Sequence, residues 1–314
     1  MPKPVLRTVT RSQGNNRALK EGRVGLPDFE LAFEEVEPLV KGFRRMVREL
    51  AYDVSEMALT TYLCAKAHGV RFTALPVFLV RDFHHGAIQV NRGAGLRTGK
   101  DFEGRRVGVN RGYTVTTGVW ARAILEEEYG TDLSQVTWVR SGEEHVAEFV
   151  PPPNVVPLEE GHDLAADLAS DVLPAAVGAA VDHPEVVPFV ENPFAAGVAA
   201  LKGRGLYPIN HLVVVKDEVL AAHPGLAAQL FEAFAASKRL YVEELRAGRI
   251  AEPKRADKVA LAALEVMDDP LPYGIEPNRK VLETLMGHAV TQGIIPAQMD
   301  IERLFAEEVR GLVG

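Results

Sequence analysis

The chain of 314 residues has a single cysteine, Cys64. No internal disulfide can form, which is the composition of a protein kept in a reducing compartment. Cys64 falls inside a helical pattern, where a small buried thiol is expected. Long apolar runs are also missing. No segment approaches the roughly 20 apolar residues that a membrane-spanning helix needs, and the N-terminal MPKPVLRTVTRSQGNNR has no apolar core of signal-peptide length. These absences predict a cytoplasmic protein with no membrane partner. Positive charge is outnumbered and scattered: 35 Lys and Arg stand against 43 Asp and Glu, the net charge is −8 and no basic stripe is visible, so no nucleic-acid partner is expected. Repeats, low-complexity tracts and charge blocks are absent as well.

What is present is alternation. PVLRTVT, FELAFEEVE, AYDV, FTALPVFL and AIQVN read as strands, and PLVKGFRRMVREL and SEMALTTYLCAKAHG as helices, the second with Ser55 as N-cap and a glycine stop. After the turn-rich NRGAGLRTGKDFEG, the strand RRVGVN, the helix TTGVWARAILEEEYG and the strand VTWVR open a second unit. A proline-rich loop, the helix HDLAADLAS and the apolar VLPAAVGAAV follow. NHLVVV then leads into a long amphipathic helix from HPGLAAQLFEAF onward, and a further helix covers the region after PLPYGIEPNR. With 47% hydrophobic residues, this is an α/β protein of two lobes, and its βαβ rhythm predicts a mostly parallel sheet with helices on both faces.

Familiar site motifs fail on spacing. GAGLRTG follows a strand, but its third glycine is one residue late and no helix comes next, so it reads as a loop and not as a dinucleotide fingerprint. His84 and His85 are adjacent and point in different directions. No His or Cys pair has ligand spacing, although a divalent metal assembled from dispersed residues stays open. A Gly-x-Ser-x-Gly elbow and a reactive-cysteine signature are both absent.

The remaining candidates are polar residues just after strands, where helix N-termini in open α/β sheets offer N–H groups to ligands. Ser55 and Glu56 follow AYDV; Tyr113, Thr114, Thr116 and Thr117 follow RRVGVN; Arg140 and Ser141 follow VTWV. An arginine beside hydroxyl-rich helix mouths suggests an anionic ligand, most simply a carboxylate. Each residue also has a structural reading. Ser55 and Thr116 with Thr117 can be caps and Glu56 a first-turn complement to the helix dipole. Arg81 and Asp82 can pair on the surface, His211 can be a strand histidine bonded to backbone, and Tyr273 and Glu276 can brace a C-terminal loop.

YDVSEMALTTYL, LPVFLVRDFHHGAIQVN, VGVNRGYTVTTGVWARAILEEEYG, YPINHLVVVKDEVLAAHP and DDPLPYGIEPNRKVLE, in this order from about residue 44 to about 280, resemble the 4,5-dihydroxyphthalate decarboxylase family. The resemblance implies a type II periplasmic-binding-protein-like fold: mixed sheets flanked by helices, with a ligand cleft between two lobes. It gives residues 1–92 and 208–314 to the first lobe and 93–207 to the second. Asp53, Ser55, Glu56 and Met57 match the family's Asp-Val-Ser-Glu-Met block; Arg81, Phe83, His85, Trp120, Arg122, His211 and the segment with Tyr273 and Glu276 also fit. Three features depart from it. His84 stands where an arginine is expected, Asn210 stands where an apolar residue is common, and the loop before Thr116 is one residue longer.

That resemblance implies a carbon–carbon lyase acting on a hydroxylated aromatic dicarboxylate. Such a reaction needs an acid at the ring carbon, an acceptor at the phenol and cations for the carboxylates, but no organic cofactor. Arg81 is then expected to hold a carboxylate, with Thr116 and Thr117 as a second anion contact. Glu56 is expected to accept the phenolic proton or to act as an acid raised by burial, and His211 or His85 to donate the proton. His84, Tyr113, Thr114, Arg140, Tyr273 and Glu276 complete the expected substrate contacts. Two alternatives stay open: a solute-binding protein for a small aromatic or heteroaromatic acid, and an enzyme of this fold acting on another ring acid. Association into a homo-oligomer is also open.

Overall fold

The β-branched and aromatic runs of the sequence form short strands, and the segments with apolar residues at helical spacing pack against them. A computed structural model describes residues 2–314. In chain order its elements are β1 (Val5–Val9), α1 (Gly14–Lys20), β2 (Glu30–Phe33), α2 (Val40–Glu49), β3 (Val54–Ala58), α3 (Leu59–Ala67), β4 (Phe72–Arg81), β5 (Ile88–Asn91), β6 (Arg106–Val109), α4 (Thr116–Tyr129), β7 (Thr137–Arg140), β8 (Val155–Pro157), α5 (Leu164–Ala169), β9 (Ala175–Val177), β10 (Val186–Pro188), α6 (Pro193–Arg204), β11 (Ile209–Lys216), α7 (Asp217–Ala222), α8 (Leu226–Arg246), α9 (Arg255–Leu264), α10 (Arg279–Thr291) and α11 (Ile301–Leu304).

The chain divides into two units. The first holds everything up to Asp82, Ile209–Thr284 and Met299–Gly314; the second holds Phe83–Pro208 and Leu285–Gln298. The sequence reading puts the first crossing at residue 92. In the structure β5 already pairs with β9 and β10, which draws the boundary back to residue 82. The second unit also takes a C-terminal segment, 285–298, that carried no signal in the sequence.

The first unit is built on a five-stranded sheet in the order β2-β1-β3-β11-β4. β2, β1 and β3 run parallel, while β11 runs antiparallel to both β3 and β4. The expected mostly parallel sheet is therefore mixed, and its one reversed strand is the one that opens the returning segment. β3 lies between β1 and β11, and all five of its residues are buried. Helix α1 lies so close to α8 that a Cβ on Gly14 would stand 2.1 Å from Tyr241 Cε2, so glycine alone permits this approach.

The second unit carries a six-stranded sheet in the order β10-β5-β9-β6-β7-β8. β9, β6, β7 and β8 are parallel, and β5 is antiparallel to both of its neighbours. Val139, Leu164, Leu168, Leu173, Ala176 and Val186 close a core beside this sheet. Burial of each large aliphatic side chain contributes about 1.5–3 kcal/mol.

Two local expectations are corrected. Ser55 is not an N-cap: the strand runs on to Ala58, and α3 starts at Leu59 with no side-chain cap. Pairing with β11 along all five residues, and with β1 at Val54 and Ser55, outweighs the helix propensity of Glu56, Met57 and Ala58. Thr116 and Thr117 are likewise inside α4, whose capping position is Val115, again with no side-chain cap bond. Around GAGLRTG the chain makes only 3-10 turns, Arg92–Ala94 and Gly99–Phe102.

Candidate active site

Glu56 is the buried centre of the first unit's polar chemistry. It sits on β3 with its side chain at 0% exposure. A lone carboxylate there would be very costly, and three donors offset that cost. The Arg11 backbone N–H donates to Oε2 at 2.9 Å, Arg11 Nε donates to Oε1 at 2.9 Å, and His211 Nδ1 lies 2.6 Å from Oε1. The strands make this possible: β1 delivers Arg11 two residues beyond its end, while β11 sets Val213 opposite Glu56 and His211 opposite Ala58.

Burial alone would push the Glu56 carboxyl up. The hydrogen bond and charge of His211, with the charge and backbone N–H of Arg11, outweigh it and hold Glu56 below the usual carboxylate range. The balance runs against an acid raised by burial: burial occurs, but the donors come with it. An ionised Glu56 at 2.6 Å also fixes the histidine tautomer, because only a protonated Nδ1 is attractive at that distance. The Phe43 ring meets the imidazole edge-on, with centroids 5.1 Å apart at 88°. His211 is thus bonded to a carboxylate, in contrast to its backbone-bonded reading. The Ser55 hydroxyl donates to the Glu56 carbonyl at 2.7 Å. Asp53 accepts from the Arg7 backbone N–H at 2.8 Å and pairs with Lys216, tying β1 to β11.

Arg81, at the end of β4, is buried and donates from Nη2 to the carbonyl of Pro272 at 3.2 Å and to Asn278 Oδ1. Tyr273 lies fully buried in the same segment. Its hydroxyl is pushed well above the ordinary phenol range by burial and by the charges of Asp269 and Glu56, against Arg81. Glu276 departs from expectation. Its carboxylate is exposed and bonds Arg279 Nε at 3.0 Å, and Arg279 also reaches Glu302. It belongs to a surface network that pins the start of α10. Asp82 pairs with Arg255 and not with Arg81.

In the second unit the expected residues fall into separate groups. Tyr113 and Thr114 give their backbone N–H groups to Glu144, at 2.6 and 3.1 Å, and the Thr114 hydroxyl adds a third bond at 2.7 Å. The carboxylate held by this loop is thus the protein's own; a buried acid needs donors, and these are the nearest. Beneath the loop Arg122 is fully buried. Its guanidinium lies 3.9 Å from the Tyr113 ring centroid and donates to Tyr113 O at 2.7 Å and to Gln292 Oε1 at 2.8 Å. Burial holds the Arg122 pKa below its ordinary value, against the favourable charges of Tyr113 and Glu144. Arg140 donates to Gly142 O at 2.7 Å, so its guanidinium closes a turn. His84 is buried beside His85. His85 places Nε2 3.1 Å from both oxygens of Glu128, which Arg204 also binds. Thr116 is buried at the start of α4, beside the partly exposed Thr117.

Sequence reasoning missed Arg11 and Glu144. Each stands in a loop with nothing regular around it, and each gains meaning only from a partner 45 or about 30 residues away. Among the described residues, no three His, Cys, Asp or Glu side chains are grouped so as to hold a metal ion. Also among the described residues, no helix is long and apolar enough to cross a membrane.

No protein-family model matches the chain. It is 29% identical, over 306 residues covering 92% of both chains, to a protein of Comamonas testosteroni named 4,5-dihydroxyphthalate decarboxylase. It is 33% identical over 167 residues to a protein of that name from Pseudomonas putida, a match covering 49% of this chain and 64% of the relative. Among solved structures, the alkanesulfonate-binding protein of Xanthomonas axonopodis superposes with a TM-score of 0.54 at 15% identity, covering 98% of this chain and 99% of that one, which shows the fold alone. The chain is therefore similar across nearly its full length to one protein named 4,5-dihydroxyphthalate decarboxylase and over about half its length to a second of that name, and it has the fold of the type II periplasmic binding proteins.

Proposed function

We propose that this protein is a carboxy-lyase that removes one carboxylate from a hydroxylated aromatic dicarboxylate such as 4,5-dihydroxyphthalate. The observation that carries this reading is the buried Glu56–His211 pair, in a chain similar over 92% of its length to a decarboxylase of that substrate.

The chemistry follows from the substrate. In 4,5-dihydroxyphthalate each carbon that bears a carboxylate has a hydroxyl para to it. Electron density from that hydroxyl makes the carbon basic enough to take a proton. His211, as the imidazolium, donates the proton from Nε2 to this carbon while Glu56 holds Nδ1. The C–C bond to the carboxylate then breaks, its electron pair restores the aromatic ring, and CO2 leaves. The net change is one proton gained and one CO2 lost, with no oxidant or reductant. Glu56 keeps its charge throughout, orienting the imidazole and stabilising its charged form, and so acts through His211 and not on the phenol. Arg81, buried in the same unit and held by Asn278 and the Pro272 carbonyl, supplies a fixed cation for a substrate carboxylate.

The fold is shared with a sulfonate-binding protein, so capture without turnover is the competing outcome. Purified protein is incubated with 4,5-dihydroxyphthalate and related hydroxylated ring dicarboxylates, with and without added divalent metals, and CO2 release and the ring product are followed. Turnover of one of them is expected; tight binding of the panel with no CO2 under any condition would overturn the proposal.

A further inference from the structure

Arg11 was not predicted to matter, yet it touches both members of the Glu56–His211 pair. Its backbone N–H and its Nε occupy the two oxygens of Glu56, each at 2.9 Å. Its Nη2 lies 3.1 Å from His211 Nδ1. That nitrogen has one hydrogen to give, and the carboxylate at 2.6 Å takes it. Arg11 Nη2 therefore has no lone pair to bond on Nδ1. What remains is a guanidinium charge held against the imidazole by the two bonds to Glu56.

The groups set around His211 come from several elements. β3 supplies the carboxylate of Glu56, the segment after β1 supplies the cation of Arg11, and α2 supplies the uncharged Phe43 ring. On the other edge of β11, β4 supplies Arg81, whose Nη2 is directed to Pro272 and Asn278. Asn210, next to His211 on its own strand, carries no charge. A carboxylate alone would make the imidazolium a weak acid, since it stabilises the protonated ring. A cation beside the same nitrogen works against that and strengthens the acid. Protonating a ring carbon needs a strong acid that is still charged near neutral pH.

We propose that Arg11 is a positioning residue for proton donation by His211: it clamps Glu56 through both oxygens and sets its own charge against Nδ1, which makes the imidazolium a better acid. The geometry stands on its own; the consequence for turnover rests on the proposed decarboxylation.

The test separates the two. The full-length protein and its R11Q and R11K variants are compared by NMR titration of the His211 ring protons, assigned by their loss in H211N, with thermal melting to establish folding. In R11Q the His211 midpoint should rise by about half a unit to one unit, and R11K, which restores charge without the fixed Nε bond to Glu56, should fall between parent and R11Q. With a turned-over substrate, R11Q should lose kcat by about 10- to 100-fold with a smaller change in KM, and the alkaline limb of its pH profile should move up with the NMR midpoint. A folded R11Q whose His211 midpoint equals the parent's would overturn the inference, whatever its activity. A shifted midpoint in a protein that turns over none of the ring acids would uphold the inference and count against the decarboxylase.

Discussion

Each unit contains an arginine, a glutamate and a histidine bonded in that order: Arg11, Glu56 and His211 in the first, Arg204, Glu128 and His85 in the second. The residue types are the same but the environments differ. Glu56 is at 0% exposure on the inner strand β3, whereas the side chain of Glu128 is 23% exposed on helix α4. Glu56 also receives a backbone N–H from Arg11. The two imidazoles are held by opposite ends: His211 by Nδ1 and His85 by Nε2. A ring anchored at Nδ1 presents Nε2, the nitrogen furthest from its own backbone. A ring anchored at Nε2 keeps back only Nδ1, which in His85 is buried and has no hydrogen-bond partner. The same residue types thus hold an imidazole by either nitrogen, and with very different burial of the carboxylate. We assign proton donation in the proposed reaction to His211 because a fully buried, doubly bonded carboxylate orients its ring.

The largest expected effect breaks the comparison directly. H211N should cut kcat by about 1,000-fold, the scale of a lost general acid, while H85N should stay within a few-fold of the parent and lose about 1–2 kcal/mol of stability. Equal losses of kcat in the two variants would refute the assignment. Steady-state kinetics and thermal denaturation decide it.

A second test sharpens the contrast in burial. Glu56 and Glu128 both titrate below their ordinary value of 4.5 in the folded protein, with burial opposing and the histidine and arginine contacts prevailing. For a carboxylate lowered by folding, the stabilisation is fully present above the unfolded value and is lost as pH falls through the folded one. E56Q should therefore flatten the decline in stability below about pH 4.5. E128Q, at a partly exposed site screened by water, should do so much less. Denaturant melts from pH 7 to pH 3 measure both. The smallest effect belongs to Glu276, whose pairing with Arg279 lies on the surface and is screened by water; E276A should leave turnover unchanged, and a large rise in KM would return it to the site.

How much could be read in advance follows the range of the interactions. The strand character of VLRTV and the helix over Thr116–Tyr129 are local patterns of side-chain shape and spacing, and they hold. The segment VSEMA reads as the mouth of a helix because Glu, Met and Ala favour one, yet it is a strand because β11 pairs with all five of its residues and β1 with the first two. β11 lies some 150 residues further along the chain, so no local pattern announces it.

Residue identity and order were enough for the α/β class, the resemblance and the choice of Glu56 and His211 as candidates. Only the tertiary structure decided which donors hold Glu56, which nitrogen of His211 meets it, and that Arg11 belongs with them. Those properties depend on distances of about 3 Å between residues 45 and 200 positions apart. Folding sets such distances, because burial makes a carboxylate costly and the donors that offset the cost come from wherever the sheet brings them.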